Sequence, residues 1–240
     1  MYKKNKYILF QPGDVKDNYN MPVLTKSRPI NSDNIILLFN FERHWDNVYI
    51  LRNEIKDIPF ESKKPIVFWR GTTTGSEDRL GNRFDLMNKW FNKSNKIDIA
   101  FSEITQGKDN YSKYIKTKAE IKTFLQYKYI ISIEGNDVSS GLKWNLLSNS
   151  IVFMPKPTMV SWFMEDHLLP FVHYIPIKND WSDLEKMVDW CENNQNKCKI
   201  INYNAKKYVN KFLKEFDSGY HLKIINDIIK IYKKNVIFNI

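Results

Sequence analysis

Apolar residues in this chain fall in short blocks separated by polar and turn-forming residues, the pattern of buried strands rather than of long amphipathic helices. Blocks at residues 7–11 (YILFQ), 34–39 (NIILLF), 65–69 (PIVFW), 97–101 (IDIAF), 129–133 (YIISI), 151–154 (IVFM) and 172–177 (VHYIPI) predict strands. The first ends at the turn signal Pro12-Gly13-Asp14, and the third runs straight into Arg70-Gly71-Thr72-Thr73-Thr74-Gly75. Between the strands, helices are expected over 82–92, 117–125, 140–147, 162–169 and 182–193. The last has Ser182 as N-cap and Glu185 at the capping-box position. Strand–helix alternation from residue 65 to 200 predicts an α/β layered domain with a mainly parallel sheet. The tail, 202–235, carries Tyr208, Phe212, Phe216, Leu222, Ile225, Ile229 and Tyr232 at helical spacing, with a break at Ser218-Gly219 that divides it into two helices. Residues 1–60 show strands without a long helix and read as a smaller lobe. Residues 61–219 read as the larger one, with helices 220–240 returning to pack on the first.

Composition narrows the class. The chain has 240 residues, 42% of them hydrophobic and 15% aromatic, enough to bury a core in one large or two small domains. No apolar run approaches the roughly 18 residues of a membrane helix. The first ten residues lack the apolar stretch of a signal peptide, so a cytoplasmic protein is expected, with at most peripheral membrane contact. Cys191 and Cys198 are too few for a disulfide scaffold and fit a reducing compartment. The formal charge is +10, from 31 Lys and 6 Arg against 27 acidic residues. The accompanying Asn and Ile bias reads as compositional drift, which makes most of the Lys a solvated surface. The scarce arginines are more informative. Arg70, Arg79 and Arg83 fall within 14 residues, together with Gly71, Gly75 and Gly81. A retained guanidinium offers a planar bidentate fork suited to phosphate.

Ligands of open α/β sheets bind at the carboxyl ends of strands. Two strand ends qualify here. One is the Arg70–Gly75 run, with its glycines and three hydroxyls. The other is Glu134-Gly135-Asn136-Asp137-Val138-Ser139-Ser140-Gly141-Leu142-Lys143, where hydroxyls, free N–H groups and a lysine would cradle a pyrophosphate. Neither is a Walker A loop or a GxGxxG fingerprint. His44, His167, His173 and His221 are scattered without metal-ligand spacing, so no metal site is expected. His173 reads as a hydrogen-bonded core residue. Candidate bases are the carboxylates near turns: Asp14, Asp17, Glu134, Asp137, and Glu165 with Asp166.

Residues 68–75, 127–153, 169–184 and 21–30 form four blocks that together resemble glycosyltransferase family 90, the capsule-associated and lipopolysaccharide-modifying family that includes the protein O-glucosyltransferases. Phe68-Trp69-Arg70-Gly71-Thr72-Thr73-Thr74-Gly75 is similar to its FWRG/FRG-x-x-TG/TS motif. The stretch from Tyr127 through Glu134–Trp144 to Phe153 resembles its donor-site segment, and Leu169-Pro170-Phe171-Val172-His173-Tyr174-Ile175-Pro176-Ile177 with Trp181-Ser182-Asp183-Leu184 its PWVHYVPV…DLSDL. Upstream, Met21-Pro22-Val23-Leu24-Thr25-Lys26-Ser27-Arg28-Pro29-Ile30 resembles the KSRPI stretch of the bacterial lipopolysaccharide-type members.

The resemblance implies a GT-B fold of two Rossmann-like lobes, the N-terminal one reduced. It implies a UDP-sugar donor carrying glucose or xylose, a glycan acceptor, inversion at the anomeric carbon, and no metal or other cofactor. It also implies a catalytic Asp after an N-terminal strand; Asp14 holds that place, with Asp17 the alternative. The donor-side residues it implies are Arg70, Gly71, Thr72, Thr74, Arg83, Asp137, Ser139, Ser140, Lys143 and Glu165. The protein O-glucosyltransferases carry an Arg in an S-F-R-F-K string where this chain has Gly141-Leu142-Lys143, which leaves Lys143 or Arg83 to meet the diphosphate. The competing readings are a basic module that binds nucleic acid or anionic glycan without catalysis, and a family member that binds sugar nucleotide but has lost activity. The enzyme reading excludes nucleic acid as a partner and places the chain in a bacterial or virus-infected host cytosol.

Overall fold

The computed structural model describes residues 9–14, 22–32, 35–37 and 43–235. In chain order its elements are β1 (Phe10–Gln11), β2 (Val23–Thr25), β3 (Ser27–Pro29), β4 (Ile35–Leu37), α1 (Asp46–Asn53), β5 (Lys64–Thr72), α2 (Arg83–Trp90), β6 (Ile97–Glu103), α3 (Ile121–Phe124), β7 (Tyr127–Ile131), α4 (Leu142–Leu147), β8 (Ile151–Met154), β9 (Met159–Ser161), β10 (Ile175–Pro176), α5 (Leu184–Asn193), α6 (Gln195–Asp217) and α7 (Tyr220–Asn235). The fold is mixed α/β. A five-stranded sheet runs β10-β8-β7-β5-β6 with every neighbour parallel. A three-stranded parallel sheet runs β1-β2-β4.

The apolar blocks become strands because both faces of the larger sheet are covered, so consecutive residues all face a core. On β5, Val67 and Trp69 join Ile99, Phe101, Tyr129, Ile131 and Phe153 under α2 and α5. Phe68 faces the other way, with Ile130, Val152 and Met154, against α1, α4 and α6. The period of two thus sorts one apolar run into two cores. Trp45, just before α1, is fully buried and stacks on Trp162 with ring centroids 5.3 Å apart.

Two long-range features tie the sheets together. Ser27–Pro29 pairs antiparallel with Met159–Ser161, extended by the Ile30 N–H to Thr158 carbonyl bond of 3.0 Å. At the far end of the chain, the Tyr232 hydroxyl of α7 accepts from Leu9 N–H (3.1 Å) and donates to the Pro22 carbonyl (3.0 Å).

Several sequence expectations need correction. Residues 162–169 are not a helix: Met164 adopts φ 54°, and only the single turn Glu165–His167 follows. The strand expected over 172–177 shrinks to Ile175–Pro176, because Leu169–Tyr174 forms a turn whose Leu169 N–H donates to His173 Nδ1 (2.9 Å). His173 is therefore a half-buried turn residue, not a core one. The helix expected over 117–125 shrinks to Ile121–Phe124. Helix α5 begins at Leu184 without a side-chain cap, since the Ser182 hydroxyl turns to Asp180 (2.7 Å) and Glu185 accepts from Ser94 (2.7 Å). Among the described residues the first 60 carry only a short α-helix, the eight-residue α1, in keeping with the absence of a long helix expected there. The break at Ser218-Gly219 stands, with Gly219 at φ 70°. Part of the expected strands at 7–11 and 34–39 lies outside the described residues, as does Asp17.

Candidate active site

The loops leaving β5 and β7 are locked together by two arginines. Asn82 caps α2 by accepting from Asp85 N–H (2.7 Å), which aims Arg83, in the first turn, at the strand ends. Its guanidinium donates to the Glu134, Thr72 and Ile133 carbonyls (3.1, 2.8 and 3.2 Å) and to Thr74 Oγ1 (2.7 Å). Burial, with the nearby Arg79 charge adding to it, pushes Arg83 down to about 10, still protonated at neutral pH. Arg79 donates to the Gly135 and Asn136 carbonyls (2.7 and 3.3 Å), and Gly75 N–H to Asn136 Oδ1 (2.9 Å). Gly135 has no room for a side chain: a Cβ there would lie 2.7 Å from Thr74 Oγ1 and 2.9 Å from Arg83 Nη2.

This clasp presents Asp137 and Lys143 to the end of the small sheet. Asp14, just beyond β1, pairs with Lys26 in the link between β2 and β3. Arg43 Nη2 lies 3.1 Å from Asp137 Oδ2 and 3.9 Å from Asp14 Oδ1, and Lys26 Nζ 3.9 Å from Asp137 Oδ2. Burial pushes the Asp14 carboxyl up, but the hydrogen bond and charge of Lys26, with Arg43 and Asn136, outweigh it and hold the group below the usual carboxylate range. His44, at φ 63°, accepts from Arg43 Nε through Nε2 (2.7 Å). Burial and the neighbouring cations Lys143, Arg43 and Lys26 drop its pKa to about 3, so the ring is a neutral acceptor.

Lys143 is buried on α4, its ammonium 5.3 Å from the Phe163 ring and 5.8 Å from Trp162. Burial pulls its pKa down to about 8; Glu165 and Asp137 oppose the fall and Arg43 adds to it. Glu165 is buried as well, accepting from Ser161 N–H (2.6 Å) and Ser161 Oγ (2.8 Å). Burial pushes its carboxyl up against the opposing pull of Lys143 and Ser161.

Three small cavities surround the cluster. One of about 10 Å³ is walled by Lys26, Arg43, His44, Val138, Lys143, Ser161 and Trp162. A second of about 30 Å³ is lined by Ser132, Glu134, Ser139, Leu142, Pro155 and Glu165 among others. The third, about 180 Å³, lies between His44, Asp46, Asn47, Ser140, Gly141 and Trp144. Among the described residues no group of three His, Cys, Asp or Glu side chains is placed to hold a metal ion.

The residues singled out in the sequence therefore divide into three sets. Asp14 and Asp137 are joined in one charge cluster by Lys26 and Arg43, Lys143 walls the cavity beside it, and Ser139, Ser140 and Glu165 line the neighbouring cavities. Thr72, Thr74 and Arg83 form the clasp, and Gly71 lies so close to Trp69 that a Cβ would come within 2.4 Å of its ring. Arg70 faces elsewhere: it donates to Asp98 Oδ1 (2.8 Å) and to the Asp98 and Trp69 carbonyls, with Lys116 on the same carboxylate. The Ser139 hydroxyl accepts from Ser132 (2.8 Å), and α4 starts only at Leu142. Sequence reasoning missed Lys26, Arg43 and His44. Arg43 was in view as one of six arginines, and Lys26 within the KSRPI-like block, but nothing local to either points to a partner more than ninety residues away.

Comparisons with known proteins bear on the family and the fold. The sequence profile of Glycosyl transferase family 90 matches residues 39–238. O-glucosyltransferase LpsA of Dichelobacter nodosus is 32% identical over 205 residues, covering 84% of this chain and 60% of LpsA. Protein O-glucosyltransferase 2 of Danio rerio is 28% identical over 136 residues, covering 56% of this chain and 26% of that protein. Anabaena HepE, solved in complex with UDP-glucose, shares the fold at a TM-score of 0.50 and 12% identity, covering 85% of this chain and 58% of HepE. This chain thus spans less than two thirds of the length of LpsA or HepE. With the profile matched from residue 39 to residue 238, the chain belongs to glycosyl transferase family 90.

Proposed function

We propose that this chain is a glycosyltransferase that moves glucose or xylose from a UDP-sugar to a hydroxyl of a surface glycan, with inversion and without a metal. In this reading the fold is a trimmed GT-B. Residues 1–60, backed by α7, face the acceptor, and residues 61–219 hold the donor. Family membership supports the reaction class. The observation that carries the reading is the bridging of Asp14 from the small sheet to Asp137 from the large one by Lys26 and Arg43, with Lys143 walling the adjoining cavity.

In the proposed reaction an acceptor oxygen attacks the anomeric carbon, and the bond from that carbon to the diphosphate oxygen breaks, its electron pair leaving with UDP. Asp14, kept ionised by Lys26 and Arg43, takes the acceptor proton. Negative charge grows on the diphosphate, and Lys26, Arg43 and Lys143 meet it from a poorly solvated pocket. Cations fixed in such a setting are worth several kcal/mol in the transition state. Lys26 and Arg43 each already lie near two carboxylates, so each can trade a carboxylate oxygen for a phosphate oxygen. A cytoplasmic site of action suits the buried, unpaired thiols Cys191 and Cys198.

The test is release of UDP from UDP-glucose and UDP-xylose by the wild type and by Asp14→Asn. Asp14→Asn is expected to lose at least about a hundredfold in turnover while binding UDP normally, since general-base assistance is worth about that much or more. Turnover at the wild-type rate would remove Asp14 from the mechanism. The product anomer, read by NMR, and turnover in EDTA test inversion and metal independence.

A further inference from the structure

One face of the molecule matches neither the core nor the charge cluster. The first twenty residues of α6, 195–214, contain six lysines and no acidic residue, in a chain with 27 Asp and Glu. Lys199 pairs with Glu61 (2.6 Å) and Lys206 with Asn149. Lys197 lies over the Trp190 ring at 5.7 Å, while Lys207, Lys211 and Lys214 border a groove of about 1080 Å³ that also takes in Val172, His173 and Tyr203. Among the described residues these last three lysines have no carboxylate within ion-pair distance.

Beside these charges the chain exposes large apolar side chains. Leu169 is 52% exposed, Phe171 48%, Ile200 61% and Tyr203 66%. Phe171 is held at φ 58°, its N–H bonded to the Tyr174 carbonyl (2.8 Å) and its ring 5.4 Å from Trp190. A non-glycine residue in the left-handed region costs about 1 kcal/mol or more, and here the strain keeps Leu169 and Phe171 at a turn tip instead of in the core. This tip precedes β10, on the side of the sheet away from the strand ends that build the charge cluster.

We infer that the 169–173 turn and the outward face of α6 form a docking surface for a bilayer of anionic phospholipid. Aliphatic tips flanked by lysines fit the boundary between acyl chains and headgroups, with the apolar groups entering and the ammonium groups meeting phosphates. The aliphatic members, Leu169 and Ile200, favour lipid over nucleic acid or an anionic glycan. Those ligands reward stacking faces and hydrogen-bond donors but gain little from exposed Leu and Ile. No described helix is long and apolar enough to cross a membrane, so the contact is with the surface.

The experiment is co-sedimentation with vesicles of phosphatidylglycerol and phosphatidylcholine, and with phosphatidylcholine alone. The wild type is expected to sediment with the acidic vesicles only, less so as salt rises. Each lysine near an anionic surface is worth about fivefold, so Lys207→Gln/Lys211→Gln/Lys214→Gln should weaken binding at least tenfold. Leu169→Ser/Phe171→Ser should weaken it independently, at unchanged melting temperature. Lys93→Gln/Lys113→Gln, beside the opposite sheet edge, should sediment like the wild type. Sedimentation unaffected by both patch variants would overturn the inference. So would no vesicle binding at all, or binding to RNA or heparin in its place.

Discussion

At the scale of single residues, the arginines and lysines exchange the roles that abundance assigns them. Arg28, Arg52, Arg70, Arg79 and Arg83 spend their forks on carbonyls and carboxylates of this chain. A planar guanidinium can satisfy several acceptors at once, which an ammonium cannot. The Arg70–Arg83 cluster was legible as something special, but its geometry makes it a brace. In the cleft, burial brings the pKa of a lysine, Lys143, down toward neutral pH. Its pKa near 8 gives a pH signature with a definite sign. Below about 8 the ammonium is charged and attracts a diphosphate; above it the charge is lost, and binding weakens up to tenfold per pH unit. UDP affinity, followed by calorimetry, is therefore expected to fall about tenfold between pH 7 and 9. Lys143→Met should bind UDP weakly and with little pH dependence across that range. A wild-type affinity flat to pH 9 would show that Lys143 does not contact the ligand. Folding stability carries the opposite slope: the unfolded lysine keeps its proton up to its ordinary value of 10.5, so between about 8 and 10.5 stability rises with pH.

At the scale of elements, strands were the legible part. Period-two sorting on β5, β7 and β8 needs only consecutive apolar residues, which the sequence displays openly. Elements fixed by distant partners were not legible. Residues 162–169 are expected to form a helix, yet the Glu165 carboxylate bends back to Ser161 N–H and Met164 takes a left-handed turn. The first residues of the strand expected over 172–177 belong instead to the exposed turn 169–174. The β5–β7 clasp is the element-scale feature with the clearest energetic consequence. Replacing Arg83 by Met would leave three part-buried carbonyls and a hydroxyl without their donor, at about 1–3 kcal/mol for each group left unpaired by water. A total loss of about 3 kcal/mol or more is expected in urea unfolding, with Arg83→Lys falling between the two. Gly135→Ala should destabilise by forcing the same guanidinium away from Thr74. A loss under 1 kcal/mol in Arg83→Met would mean that the two loops hold their positions without the clasp.

At the scale of the whole molecule, the question is how a donor reaches the cluster. Ligand pockets for molecules of nucleotide-sugar size run from about 300 to 1,000 Å³. The three cavities around Asp14, Asp137 and Lys143 measure about 10, 30 and 180 Å³. On the proposed function, a UDP-sugar is expected to enter by separation of the small and large sheets. The links that oppose separation are short: a three-pair ladder between β3 and β9, the ion pairs of Lys26 and Arg43, and the Tyr232 bonds beneath the small sheet. Among the described residues the ladder and the ion pairs join the two sheets directly, with an Asp14–Asn136 hydrogen bond beside them, and the ion pairs weaken whenever a diphosphate competes for the cations. The ladder is then the hinge or the lock. Pro29 and Met159 face each other in it, which makes them a site for a reversible crosslink. In Pro29→Cys/Met159→Cys the oxidised protein is expected to lose UDP-glucose turnover and UDP binding together. Both should return with reductant, because the crosslink holds the sheets closed without touching Asp14 or Lys143. If the oxidised form binds UDP as tightly as the reduced form, the donor enters without parting β3 from β9, and the widening must come from the 43–45 turn and the start of α1 beside the 180 Å³ cavity.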